Sequence, residues 1–559
     1  MRWLRATLVY AALTVALTWP FAAQLHLMDA GDSAFFAWEI GWEVHALETD
    51  PAQLPHANIF WPLRYTLGLD EPVLGTTLLG APLALFTNDA VLLYNVVRLL
   101  TFLASALAAY ALARELGAGE WIALLAGALF AFSPIRTDQL AHLSTLGTQW
   151  WPLAVLFVIR FAKGDRTRDA LLAALFFVLA FLACGYHGVI AAAVMPPVLL
   201  VLFWRRWDRW QKGALAGLLA GLALLPVYLL HRQALEPEHY ARGTEETVQY
   251  AASLETFLAT SSWNRLYAPL TDPFRIEGPN KLFPGLVVPA LVAVAAAVAV
   301  RRKQRPGREA IALAVMLVAA ALVALGPRVR AFGHDLGPGP WALLRELFPL
   351  FRNIRVTSRA GVFIALPLVM LAAMALQKLR PKAAGLALLA LAAMAETVIA
   401  PIPMPTWSRQ VDSRKEAPAV YRWLAQLPGR DPIVELPMLD VYGLRRRPAF
   451  HESVYMVWST LHWKPLANGY AGIEPREYVA LREAARFFPA EDVLQRLRAM
   501  GVRYVIVHRR GYGPFQWARV EQGLPAAFGG GQLRAVTAFG EDLVYEVTRP
   551  ATDVDRRRP

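Results

Sequence analysis

The chain has 559 residues, 56% of them hydrophobic and 18% charged, with a mean hydropathy of +0.36. An average soluble domain is about 45–50% apolar and about 25% charged, so a soluble enzyme, a disordered chain and a collagen are excluded, and the lone Cys184 leaves no intrachain disulfide or cysteine metal site. The net charge of +13 sits in short loops between apolar runs, the pattern of a multi-pass membrane protein obeying the positive-inside rule and not of a nucleic-acid binder.

Crossing roughly 30 Å of hydrocarbon takes about 20 mostly apolar residues. The first such run is Trp3–Ala23, behind Arg2 and Arg5. It reads as an uncleaved signal-anchor, because further spans follow it. Those runs lie near 90–113, 121–133, 148–162, 169–184, 187–204, 213–231, 284–300, 309–326, 360–377 and 383–401, giving about eleven spans in all. Several are short and call for flanking residues or local thinning of the bilayer. Val73–Phe86, interrupted by Pro82, is too short to cross and is placed on the outer surface.

With the N-terminus inside, the cytoplasmic loops are Lys163–Arg168, Arg205–Lys212, Arg301–Arg308 (RRKQRPGR) and Lys378–Lys382. The first outer loop, residues 24–72, holds Asp29, Asp32, Glu39, Glu43, Glu48, Asp50, Asp70 and Glu71 against Arg64 alone, a net of −7. That asymmetry sets the orientation, and an odd span count leaves 402–559 outside. Domain one is therefore 1–401, a mainly α, polytopic transmembrane helical bundle. Domain two, 402–559, opens on the stiff Pro401-Ile-Pro-Met-Pro405. Helix-period stretches follow at Ala417–Gln426, Glu477–Phe487 and Ala490–Met500, with strand-like runs at Pro432–Leu436, Tyr504–Val507, Leu533–Phe539 and Leu543–Val547. This predicts a small extracytoplasmic α/β domain, with Asp553–Pro559 disordered.

No GxxxxGK[ST], HExxH or GxSxG motif is present. Gly529-Gly530-Gly531 precedes a strand and reads as a turn. The informative segment is the first outer loop. Asp32 directly precedes a helix-like stretch, Ala34–Leu47, whose Trp38 and Trp42 suit a helix lying at the interface. A carboxylate there can act as a general base or help hold a metal, and it can equally cap the helix. Asp138 and His142 are spaced i,i+4, so on one helix they share a face and are secondary candidates for phosphate or metal contact. The loop 327–359 is unusually basic for an outer loop. Within it Arg352, Arg355 and Arg359 form one stripe if the segment is helical, and guanidinium forks suit the phosphate of an anionic lipid. Lipid-headgroup snorkelling explains the same arginines.

The layout resembles the GT-C superfamily of polytopic glycosyltransferases, which includes protein O-mannosyltransferases, aminoarabinose transferases and oligosaccharyltransferase catalytic subunits. Within it the chain is most similar to uncharacterised bacterial proteins of the YfhO type. The resemblance rests on Gly31-Asp32, Asn58-Ile-Phe-Trp-Pro62, Tyr94-Asn95, Phe132-Ser-Pro134 with His142, Arg352–Arg359, Asn468-Gly-Tyr470 and Gly501-Val-Arg-Tyr-Val505. It implies that Asp32 is the catalytic residue. The second-loop acidic motif of oligosaccharyltransferases is matched only by Asp138, so a divalent metal stays open and no other cofactor is implied.

The expected activity is an inverting transfer from a polyprenyl-phosphate sugar donor in the lipid bilayer, at the outer face of a bacterial inner membrane. Asp32 serves as base, and Arg352, Arg355 and Arg359 receive the donor phosphate. The acceptor, whether saccharide, lipid or protein, is left open. A transporter or flippase of lipid-linked saccharides and a non-catalytic assembly protein are the rivals. Ionisable groups at the outer mouth, and no internal repeat, argue against the transporter.

Overall fold

The computed structural model describes residues 1–237, 243–275, 281–402, 411–440 and 446–548. Most of the proline-rich exit after residue 402, and all of Asp553–Pro559, lie outside the described residues.

Each apolar run folds as a helix, from Arg2–Leu17 through Ala90–Glu115 to Gly361–Leu379 and Ala383–Ala395. By length and composition four are able to cross a membrane: Ala90–Glu115, Gly185–Leu202, Trp207–Leu235 and Thr357–Leu379. Their local logic is plain. Asp89 caps Ala90–Glu115 by accepting from the amides of Val91 and Leu92 at 3.0 Å. Gly127 lets three helices meet, since a methyl group there would overlap the Tyr10 hydroxyl and the Ala106 carbonyl. Trp207–Leu235 turns Leu215, Leu218, Leu222 and Leu225 outward. An apolar face of this size left uncovered by protein matches hydrocarbon. Residues 73–86 make only two single turns, Leu74–Thr77 and Ala81–Ala84, the second opened by Pro82.

The strand-like runs of the tail form one mixed four-stranded sheet. Ile433–Leu436 lies parallel to Tyr504–His508, which pairs antiparallel with Asp542–Val547, which pairs antiparallel with Leu533–Phe539. Glu491–Ala499 ends at Gly501, whose φ of +73° a side chain would disfavour, and the buried strand follows. Gly529-Gly530-Gly531 ends helix Pro514–Gly529 and turns into Leu533–Phe539.

Two hydrophobic clusters organise the molecule. One fills the helix bundle, with Tyr10, Phe102, Phe132, Trp151 and Phe363 among its members. The other joins the first outer loop to the tail, through Trp38, Trp42, Phe60, Leu466 and Val505. The joint is specific: the amides of Phe60 and Trp61 donate to the carbonyls of Asn468 and Leu466 at 2.9 and 2.8 Å. Any side chain at Gly469 would overlap the Phe60 ring, 2.5 Å from where its Cβ would sit. Leu27–Met28 also pairs antiparallel with Val411–Asp412.

Candidate functional site

The site begins at a glycine. Gly31 has φ +86° and ψ −140°, a backbone region nearly confined to glycine. Its amide donates to the Ser453 hydroxyl at 2.8 Å. This turn makes Gly31 the N-cap of helix Asp32–Thr49, with no side-chain cap bond. The capping role open to Asp32 is therefore not what its side chain does. One carboxylate oxygen lies 3.0 Å from His142 Nε2, and the other accepts from the Tyr470 hydroxyl at 2.7 Å. The carboxylate stays 37% exposed and is reachable from outside the protein. Withdrawal from bulk water pushes its pKa up. The hydrogen bond and charge of His142, the Tyr470 bond and the field of Arg359 outweigh this and hold it at about 2.

His451 stands edge-on to Tyr470, ring centres 5.0 Å apart, and its Nδ1 lies 2.8 Å from the Ser453 hydroxyl. Burial pushes this imidazole down to about 4, against the pull of Asp32, so it is neutral at pH 7. Two segments of the tail, one at 451–453 and one at 470, thus hold Gly31 and Asp32.

Behind Asp32, Asp70 accepts from the Gly472 amide at 2.6 Å. Burial and the neighbouring Glu71 push its carboxyl up to about 6. Glu71 pairs with Arg359 at 2.9 Å, both only 9% exposed, and Arg359 lies over the Tyr186 ring at 4.2 Å.

The arginine stripe does not form. Residues 350–360 are two 3-10 turns, Pro349–Phe351 and Thr357–Ala360, separated by an irregular stretch. The three guanidinium groups part because each has its own partner. Arg359 is buried on Glu71, Arg355 is half-buried 3.5 Å from Glu246 and over Tyr250, and Arg352 is exposed against the Arg345 carbonyl. The charge of Arg359 still acts on Asp32 and that of Arg355 on Tyr470.

Asp138 and His142 do not share a helix face either. Pro134–Thr137 and Leu143–Leu146 are single turns, with Asp138 ending one and His142 opening the other. His142 goes to Asp32, while Asp138 lies 3.3 Å from Lys281. Burial pushes the Asp138 carboxyl up and Lys281 opposes it. Among the described residues no three His, Cys, Asp or Glu side chains converge as a metal ion requires. Trp38 and Trp42 are buried against the tail, not turned to lipid, and donate to Asn58 Oδ1 and the Leu54 carbonyl.

Tyr470, His451, Asp70 and Glu71 were not anticipated as site residues. Asn468-Gly-Tyr470 stood out as a motif, yet nothing local ties it to a carboxylate 438 residues earlier.

A family model described as a domain of unknown function (DUF6311) matches residues 75–395, more than half of the chain. No curated protein matches it. Among solved structures, the fold is similar to the arabinofuranosyltransferase AftD from Mycobacteria, with a TM-score of 0.61 and 16% identity over 99% of this chain and 40% of that one. It is also similar to the Archaeoglobus fulgidus oligosaccharyltransferase in complex with Zn and sulfate, with a TM-score of 0.51 and 13% identity over 93% of this chain and 69% of that one. At these identities the likeness is one of fold, and the chain spans about two fifths of AftD's length.

Proposed function

We propose that this chain, which belongs to the DUF6311 family, is an integral membrane glycosyltransferase. It takes a sugar from a polyprenyl-phosphate donor on the extracytoplasmic face. The observation that carries this is the reachable Asp32 carboxylate, held by His142 and Tyr470 within the field of Arg359. The glycosyltransferase fold it shares supports the reading as an analogy only.

In the reaction, an acceptor hydroxyl hydrogen-bonds to Asp32. Each carboxylate oxygen has one bond already and keeps a lone pair free. As the hydroxyl oxygen attacks the anomeric carbon, its proton passes to the Asp32–His142 pair. The bond from that carbon to the phosphate oxygen breaks, and the lipid phosphate leaves with the electron pair. A displacement from the opposite face inverts the sugar. Arg359 and Arg355 lower the cost of charge developing on the leaving phosphate. The arrangement of basic loops supports an orientation with the N-terminus in the cytoplasm and Asp32 and residues 402–559 outside, where the tail serves as an acceptor-binding domain.

The test is purified protein in lipid with a panel of polyprenyl-phosphate sugars, scoring released polyprenyl phosphate. Release that needs Asp32 is expected. No release from any donor, with the protein folded, would overturn the reading.

A further inference from the structure

Beside Arg359 lies a small recess, lined by Arg136, Gln139, Thr145, His187, Lys281 and Arg359 among others. These residues come from short turns and irregular segments, with His187 near the start of helix Gly185–Leu202, all on the outer side by the orientation above. Their polar atoms are unusually poorly satisfied. Arg136 is 2% exposed, its two terminal nitrogens donate to the carbonyls of Ala131 and Leu146, and it stacks over Phe102 and Phe130. No carboxylate among the described residues pairs with it. Among the described residues, the Nε atoms of Arg136 and Arg359, both ring nitrogens of the fully buried His187, and the hydroxyl of Thr145 have no hydrogen-bond partner.

Buried polar groups are rarely left unpaired, and a buried cation without a counter-charge is costly. The charges do not cancel here. Lys281 is matched by Asp138 and Arg359 by Glu71, which leaves Arg136 as the excess positive charge. Water would supply hydrogen bonds but not the missing negative charge. A tetrahedral oxyanion supplies both, with acceptor oxygens for donors that converge from several sides.

We infer that this recess is an oxyanion-binding pocket that takes a phosphate group, with Arg136, His187, Lys281 and Arg359 as its binding residues. The site differs from the exposed stripe expected from sequence, with which it shares only Arg359. That the phosphate belongs to a lipid carrier rests on the glycosyl-transfer reading. The pocket itself does not.

The experiment measures binding of inorganic phosphate, pyrophosphate and undecaprenyl phosphate to the purified full chain, by calorimetry and without any sugar donor. Lys281→Gln and Arg136→Gln are expected to weaken binding by about tenfold or more, the range for hydrogen bonds to charged groups. Arg302→Gln, in a distant loop, is expected to leave it unchanged. If Arg136→Gln does not fold, Lys281→Gln, at a less buried side chain, decides alone. Variant-sensitive binding of inorganic phosphate supports the pocket with a free-anion source, and variant-sensitive binding of the lipid phosphate alone supports it with a headgroup source. No binding to the wild type, or equal binding to wild type and both pocket variants, overturns it. Pocket-dependent binding with no transfer from any donor would sink the enzyme and keep the pocket. Asp32-dependent transfer with variant-independent binding would do the reverse.

Discussion

The two hydrophobic clusters are built on opposite plans. The helix bundle is assembled from continuous apolar segments, and glycine and alanine let its helices approach closely. The outer cluster is assembled from pieces far apart in the chain, mainly residues 28–97 with 411–547, and carboxylates are buried beside its rings. Glu39 and Glu43 are both fully buried there, and burial pushes both carboxyls up. The bundle supplies a platform whose construction tolerates exchange of one apolar residue for another. The outer cluster holds polar groups at fixed distances, and its tolerance is correspondingly narrow.

The sharpest test of this contrast compares two arginines seven residues apart. Arg359→Ala leaves Glu71 buried without its counter-charge, with the Tyr186 amide still donating to it, and should cost about 3–5 kcal/mol of stability. Arg352→Ala, exposed on a carbonyl, should change stability by no more than about 0.5 kcal/mol. Thermal unfolding in detergent reads both, and equal losses would break the comparison.

Next in size is Asp32→Asn. Because Gly31 and not Asp32 is the N-cap, the variant should insert and melt as the wild type does, while turnover falls roughly 10²-fold or more. Full turnover in the variant would remove Asp32 from the mechanism.

A third test lies wholly in the outer cluster. His508 sits 2.9 Å from Glu435 and 2.8 Å from Asp542. Burial alone would lower its pKa, but the bonds to Asp542 and Glu435 raise it to about 9. A pKa raised above the unfolded value stabilises fully below about 6.5, and that stability is lost as the pH rises through about 9. Unfolding of the tail should therefore become easier by about 3 kcal/mol between pH 6 and pH 10, and His508→Gln should flatten that dependence. A pH-independent wild type would contradict the assignment.

The smallest effect belongs to Tyr470→Phe, which removes one hydrogen bond from Asp32 and keeps the ring. Turnover should drop about tenfold, the scale of a bond to a charged group. The acid limb of the rate profile should also move to higher pH, because that bond helps hold the Asp32 carboxyl down. An unchanged profile would mean that the tail does not tune the site.

What could be read from the chain alone follows from how local each signal is. The apolar runs became helices because span length, hydropathy and flanking charge are carried by adjacent residues. The tail's strands and the Gly501 stop were legible for the same reason. Asp32 stood out by its place after the first run and by its resemblance to a known motif. The arginine stripe and the Asp138–His142 pair failed because their spacing has meaning only on a continuous helix. Short turns there, each tied to different partners, replaced it. Tertiary structure decided that Asp32 is held by His142 and Tyr470, that Glu71 pairs with Arg359, and that Arg136 is left without a counter-charge. These contacts join residues more than a hundred positions apart. Such contacts are chosen by competition for partners in a buried space, and no periodicity along the chain records that competition.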